Sequence, residues 1–114
     1  SSSLVGSEMC IRDRFLALTS SGPAIVALII EALSDGGLSG GLPKILSEEL
    51  VMEMIIGTIS LIKEKNLTTS ELKNLVTSPG GTTISALRVL EKKSIRSALI
   101  ESIVSASNRS KEFS

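Results

Sequence analysis

The 114-residue chain contains no histidine, tryptophan or tyrosine, and it has only one cysteine and two phenylalanines. Without histidine, catalysis by imidazole, a Ser-His-Asp triad and a Cys-His pair are all excluded within this chain. Zinc sites rich in histidine or cysteine are excluded too, so no metal site is predicted. An excess of positive charge is also missing, because 12 basic residues balance 12 acidic ones. This balance argues against a nucleic-acid partner, since neutralising phosphates needs a basic surplus.

What the chain does have is a large apolar content for its size. Hydrophobic residues make up 42% of it, and the mean hydropathy is +0.34. The length suits one domain with a single core. Such a composition indicates that apolar surface is covered from outside, either by a membrane or by another protein chain.

The first fourteen residues do not fit a folded segment. Residues 4–14 read LVGSEMCIRDR and have neither helical nor strand periodicity. The run resembles, in one reading frame, the translation of a common transposase-type sequencing adapter. We therefore expect residues 1–14 to be non-native, residues 15–114 to form the domain, and the native protein to begin further upstream.

The remainder predicts an all-α bundle of about five helices. Caps, prolines and glycine runs set the bounds, and no alternating strand pattern is present. Residues 15–19 are of uncertain state, and a first helix is expected to start at Ser20–Pro23 and to be ended by the glycines of 36–41. The expected helices are about 24–34, 44–65, 68–76, 82–92 and 94–111. Leu42-Pro43 opens the second helix, and residues 68–71 form a capping box at the start of the third. The inward residues expected of the fourth are Ile84, Leu87, Val89 and Leu90.

Two of these helices have more apolar positions than one bundle face can hold. Residues 24–33 are interrupted only by Glu31, and residues 44–65 carry a stripe that widens well beyond one face. A helix that is apolar on most sides must be buried on most sides. The stripe comprises Leu46, Leu50, Met54, Ile55, Ile59 and Ile62, widened by Val51, Met52, Ile56 and Leu61.

The segment 78–83, which reads SPGGTT, is the strongest candidate for a binding site. Pro79 favours an extended Ser78, and the two glycines leave the amides at the start of the next helix uncovered. The free N–H groups of residues 81–83, with the helix dipole, could bind a carboxylate. A tight turn with a threonine cap explains the same residues, and the residues alone leave both interpretations open. The other glycine run, 36–41, lacks the Lys-Ser/Thr pair of a phosphate loop and indicates a connector.

Several segments resemble the pyrroline-5-carboxylate reductase family, the last enzyme of proline synthesis. The resemblance covers residues 15–113 in the correct order. It rests on LTSSGPA at 18–24, EALSDGG at 31–37, GLP at 41–43, LVTSPGGTTISALRVLE at 75–91 and NRSKE at 108–112.

The resemblance implies a two-domain reductase of which this chain is the second part. A missing N-terminal Rossmann domain would bind NAD(P)H, and the all-helical domain would form an intertwined homodimer of the 6-phosphogluconate dehydrogenase C-terminal type. Several dimers could assemble further. The implied reaction is the reduction of 1-pyrroline-5-carboxylate to L-proline in the cytoplasm, and the fragment alone is expected to be inactive and to bind no cofactor.

The same resemblance implies roles for the candidate loop. Ser78, Thr82 and Thr83 would hold the substrate carboxylate, and Thr83 would act as the catalytic residue by bonding the ring nitrogen. Gly80 and Gly81 would keep side chains out of the substrate's space. Ser20 and Ile25 depart from the family, which usually has glycine and often has an aromatic residue there.

Two other functions remain possible from the residues. One is a dimerisation module with no ligand of its own. The other is a membrane peptide over residues 15–33, against which Glu31 and Pro23 argue. We expect no membrane association.

Overall fold

The computed structural model describes residues 10–77 and 81–112, and within these ranges the chain is helical with no strand. The all-α prediction is therefore confirmed. Contacts divide the chain into two units, Leu28–Leu90 and the remainder on either side of it. In chain order the helices are α1 (Cys10–Ser39), α2 (Lys44–Lys65), α3 (Thr69–Thr77), α4 (Gly81–Lys92) and α5 (Ile95–Glu112).

Helix α1 runs straight through the predicted start signal, so a helix beginning at Ser20–Pro23 is wrong. A π-helical turn, Ala17–Ser21, immediately precedes Gly22 and Pro23. Proline in a helix interior lacks an N–H donor and crowds the carbonyl four residues earlier, here that of Thr19. The wider π turn relieves that crowding and lets the helix continue. In the same unit, α5 packs against this turn, where Ala17 is buried.

The glycine run 36–41 does end α1, but the helix stops only before its last two glycines, Gly40 and Gly41. The helix continues through Gly36 and Gly37 to Ser39, five residues beyond the expected end. Gly41 then adopts a φ of 103°, a left-handed conformation that glycine tolerates best. Its N–H donates to the carbonyl of Leu38 at 2.9 Å, which closes the last turn.

Within the unit Leu28–Leu90, two buried serines hold the end of α1 against the start of α2. The Ser47 hydroxyl donates to the carbonyl of Ser34 at 2.8 Å, and the Ser34 hydroxyl donates to that of Ile30 at 2.7 Å. Gly37 lies opposite Ser47, and a β-carbon there would collide with the Ser47 hydroxyl and press on Leu42. A small residue at position 37 is therefore required by this close approach.

Helix α2 has the predicted bounds, but only two of the six residues of its predicted apolar stripe, Ile55 and Ile62, face the rest of the chain. Pro43, with extended angles, precedes it, and Asn66 ends it with a φ of 51°. The side turned toward the chain is marked by its buried and half-buried residues, Ser47, Glu48, Val51, Ile55, Thr58 and Ile62. Leu46, Leu50, Met54 and Ile59 from the predicted stripe are exposed.

Few apolar side chains are buried in the part of the chain that the structure describes. Ala17 is the single buried hydrophobic residue there, whereas large apolar residues on every helix are exposed. The predicted inward residues of α4 illustrate this, since Ile84, Val89 and Leu90 are exposed and only Leu87 is half-buried. Helix α1 is long and apolar enough to span a bilayer by length and composition, a test that core helices of soluble proteins also pass.

The predicted capping box starts α3. The Thr68 N–H donates to Glu71 Oε1 at 2.9 Å, and the Glu71 N–H donates to Thr68 Oγ1 at 3.1 Å. Hydrogen bonds to the Glu71 carboxylate, first from the Thr68 backbone N–H and second from the Thr68 side chain, lower the pKa of Glu71 from its ordinary value of 4.5. The cap therefore stabilises α3 most when Glu71 is ionised.

Replacing Gly37 by alanine should destabilise the chain, because the new methyl group meets the Ser47 hydroxyl. We expect urea unfolding, followed by circular dichroism, to show a loss of about 1–3 kcal/mol. Gly36→Ala is the matched control, since nothing lies within 4 Å of its added methyl. It should be neutral or stabilising by up to about 1 kcal/mol, and equal losses for both variants would contradict the packing described.

Glu71→Ala should lower stability in a pH-dependent way. Because the folded-state pKa is lowered, the stabilisation by Glu71 is complete above pH 4.5 and is lost as the pH falls below that value. The difference in urea midpoint from the parent chain should therefore be largest at neutral pH and shrink in acid. Glu101→Ala, on α5, controls for removal of a carboxylate, and a difference independent of pH would contradict the role of Glu71.

Candidate functional site

The candidate loop lies between α3 and α4, and the structure describes both of its ends. At the end of α3, the Thr77 hydroxyl donates to the carbonyl of Lys73 at 2.8 Å. Ser78, Pro79 and Gly80 lie outside the described residues. The predicted roles of Ser78 and Gly80 therefore stay predictions.

Beyond the loop, α4 begins at Gly81, one residue before the expected start. The first amides of a helix have no carbonyl partner inside the helix, and the helix dipole makes this end favourable for an anion. The first turn of α4 contains no acidic residue that would repel one. The N-terminus of α4 thus has the electrostatic character that the sequence predicted for a carboxylate site.

Among the described residues, Gly81, Thr82 and Thr83 leave space and hydrogen-bonding groups at this helix end. Thr82 is exposed, Thr83 is half-buried, and neither hydroxyl bonds to another described residue. The hydroxyls of Thr58 and Thr77, by contrast, donate to the carbonyl four residues earlier. A β-carbon at Gly81 would meet no atom within 4 Å. Space and hydroxyl donors are therefore both present where the sequence placed the substrate.

A depression of about 430 Å³ does not take in these threonines. Its described lining residues lie on α3 and the turn before it, and they are Leu67, Glu71, Asn74 and Leu75. Its ionised carboxylate, Glu71, makes it unsuitable for an anion. No ligand-binding role was predicted for these four residues; Glu71 was predicted only as a capping residue of α3.

Candidate metal ligands do not cluster in the chain as far as it is described. Over residues 10–77 and 81–112, no three Cys, Asp or Glu side chains lie close enough to hold an ion. The chemistry available at the α4 end is that of hydrogen bonding and a helix dipole. It can bind and orient an anion.

Three curated relatives of this chain share the name pyrroline-5-carboxylate reductase. The pyrroline-5-carboxylate reductase of Synechocystis is 47% identical over 103 residues, covering 90% of this chain and 39% of that protein. The soybean (Glycine max) enzyme of the same name is 43% identical, covering 90% and 37%. The Escherichia coli enzyme is 35% identical, covering 87% and 37%. This chain therefore spans about two fifths of the length of these relatives.

Two solved structures that resemble this chain are also pyrroline carboxylate reductases. A pyrroline carboxylate reductase of Plasmodium falciparum with NADP bound superposes with a TM-score of 0.86 at 35% identity, covering 90% of this chain and 39% of that one. The Coxiella burnetii pyrroline-5-carboxylate reductase gives 0.84 at 38% identity, covering 90% and 38%.

The matching family model is described as pyrroline-5-carboxylate reductase dimerisation and covers residues 11–113. Its match begins inside the segment 1–14 that was predicted to be non-native, and that boundary stays a prediction. Taken with the helical fold, the match shows that this chain belongs to the pyrroline-5-carboxylate reductase dimerisation domain family.

Proposed function

We propose that this chain forms the dimerisation and carboxylate-binding part of a cytoplasmic, NAD(P)H-dependent reductase that converts 1-pyrroline-5-carboxylate to L-proline. The observation that carries the proposal is the start of α4. There, hydroxyls that bond to no other described residue, and open space beside Gly81, adjoin a helix N-terminus with no acidic residue in its first turn. The names of the relatives supply the substrate class.

The substrate carboxylate would be held by the loop and the first turn of α4. Amides of Gly81, Thr82 and Thr83 would donate to it, as would the hydroxyls of Ser78 and Thr82. A carboxylate at a helix N-terminus gains from both the free donors and the dipole. Gly80 and Gly81 would leave room for it, and the empty volume beside Gly81 supports this for that residue.

Thr83 would have the additional task of orienting the reacting bond. Its hydroxyl, which bonds to no other described residue, would bond the ring nitrogen while its amide holds the carboxylate. Two fixed points on one ring define the direction in which the C=N bond faces. Reduction of a protonated imine depends on such positioning more than on a strong protein acid. The lack of histidine is consistent with this chemistry.

NAD(P)H does not fit the residues described here. A dinucleotide fold needs a strand, a glycine-rich turn and a helix in succession, and residues 10–77 and 81–112 provide no strand. When bound by another part of a longer protein, the cofactor would supply the hydride. The relatives are more than twice as long as the matched region, which leaves room for such a part, and we expect this chain alone to be inactive.

The dimerisation role would be that of an intertwined homodimer, with further assembly of dimers. The exposed apolar residues of α1 and α2 support it, because a soluble chain has to cover them. They also favour a second candidate function, a dimerisation module that binds no substrate. The two functions differ only in whether α4 contacts a ligand.

Thr83→Ala in the full-length parent enzyme tests the proposal. Loss of one hydrogen bond to an ionic substrate removes about 1.5–3 kcal/mol, so kcat/KM for pyrroline-5-carboxylate should fall roughly tenfold or more. Steady-state kinetics measure the loss, and sedimentation should show an unchanged dimer.

Thr83→Ser is the matched control, because it keeps the hydroxyl and should recover most of the activity. Unchanged kinetics for Thr83→Ala would contradict the proposed site and leave the dimerisation module as the function.

A further inference from the structure

Gly57 lies in the middle of α2, where no contact among the described residues explains a glycine. It is eight or more residues from either end of the helix (Lys44–Lys65) and has no positive φ. A β-carbon added there would meet no atom within 4 Å, unlike the one at Gly37. Glycine in a helix interior costs about 1 kcal/mol relative to alanine. The contacts of the described residues therefore do not account for a glycine at this position.

Gly57 continues a row of exposed apolar residues along α2. Leu50, Met54 and Leu61 are 50%, 49% and 36% exposed, respectively. With Gly57 they occur at spacings of four, three and four residues, the spacing at which side chains line one side of a packed helix. We call these four residues the outer seam.

The outer seam is not the side that α2 turns toward its own chain. That side is marked by Ser47, Glu48, Val51, Ile55, Thr58 and Ile62, which are buried or half-buried. A helix advances 100° per residue, which places the centre of the outer seam about a quarter-turn or more away from the centre of that side. The seam is therefore available to a second helix.

We infer that the outer seam packs against the outer seam of a second copy of this chain, and that the two α2 helices cross closest at Gly57. The inference rests on the homodimer in the proposed function and specifies its contact. In a dimer with a twofold axis, the same surface of both chains lies in the interface. Two outer seams, which contain only apolar residues and glycine, can therefore pack together without burying a charge. At the crossing, the absence of a side chain on both helices lets the two backbones approach closely.

Disulfide trapping tests the crossing in the chain as it exists. Cys10 is the one cysteine of the sequence, so Cys10→Ser gives a background without thiols. Adding Gly57→Cys should place two symmetry-related thiols near the axis, within the Cα separation of about 4.4–6.8 Å that a disulfide spans. Under mild oxidation most of the chain should then migrate at twice the monomer mass without reductant.

Ile56→Cys in the same background is the matched control. Ile56 is the neighbouring residue and is also exposed, at 60%, but it lies on a different side of α2 together with Met52 and Ile59. It should give little cross-linked product. Cross-linking at Ile56 rather than at Gly57 would overturn the inference and place the partner helix on the other side.

Gly57→Ala gives a second, independent measurement, because two effects oppose each other. Alanine favours the helix by propensity, yet its methyl group would hold the two backbones apart. We expect the dimer dissociation constant from sedimentation equilibrium to rise roughly tenfold or more, whereas Ser60→Ala should leave it unchanged.

An unchanged or tighter Gly57→Ala dimer would overturn the inference, as would a dimer that does not cross-link at Gly57. Either result leaves the substrate site intact, because the Thr83→Ala kinetics test that site separately. A chain that stays monomeric would overturn both the crossing and the homodimer, again without affecting the role of Thr83.

Discussion

The burial of apolar surface between chains is the constraint on which the rest of this structure depends. In the described residues, the helices expose most of their large hydrophobic side chains, and Ala17 is the one that is fully covered among the apolar set. At about 25 cal/mol for each Å² removed from water, covering such side chains is the dominant favourable term in association. A second copy of the chain is the partner that membership of a dimerisation family supplies. The domain is best understood as part of a core that two chains complete together.

Contacts within one chain are correspondingly small and polar. The turn between α1 and α2 is held by the hydroxyls of Ser34 and Ser47 and by the missing side chain of Gly37. Both of these hydroxyls have a carbonyl partner, so neither carries the penalty of an unsatisfied polar group. Such close contacts fix the path of the chain while the larger side chains point outward. Because the contacts within the chain use small polar groups, α2 keeps exposed apolar residues on several sides, which are available to a partner.

The sequence predicted the elements whose signals are local and missed those that depend on packing. Pro43 and the Thr68–Glu71 capping box located the starts of α2 and α3, because both act within one helical turn. Pro23 was misleading, since a π turn can absorb a proline that would otherwise end a helix. Gly37 was interpreted as a helix terminator, whereas it is a contact point with Ser47, which no local pattern reveals. Of the candidate site, Gly81, Thr82 and Thr83 lie where the sequence placed them, at the start of a helix.

The proposed dimer contact on α2 and the proposed substrate site at the start of α4 lie in the same unit, Leu28–Leu90. A core shared by two chains would couple folding to association. Thermal unfolding of the 114-residue chain over a wide range of protein concentrations measures this coupling directly. If two chains share one core, the midpoint rises with concentration, because mass action favours the dimer. A midpoint that does not depend on concentration, from a chain that sediments as a monomer, would contradict the account.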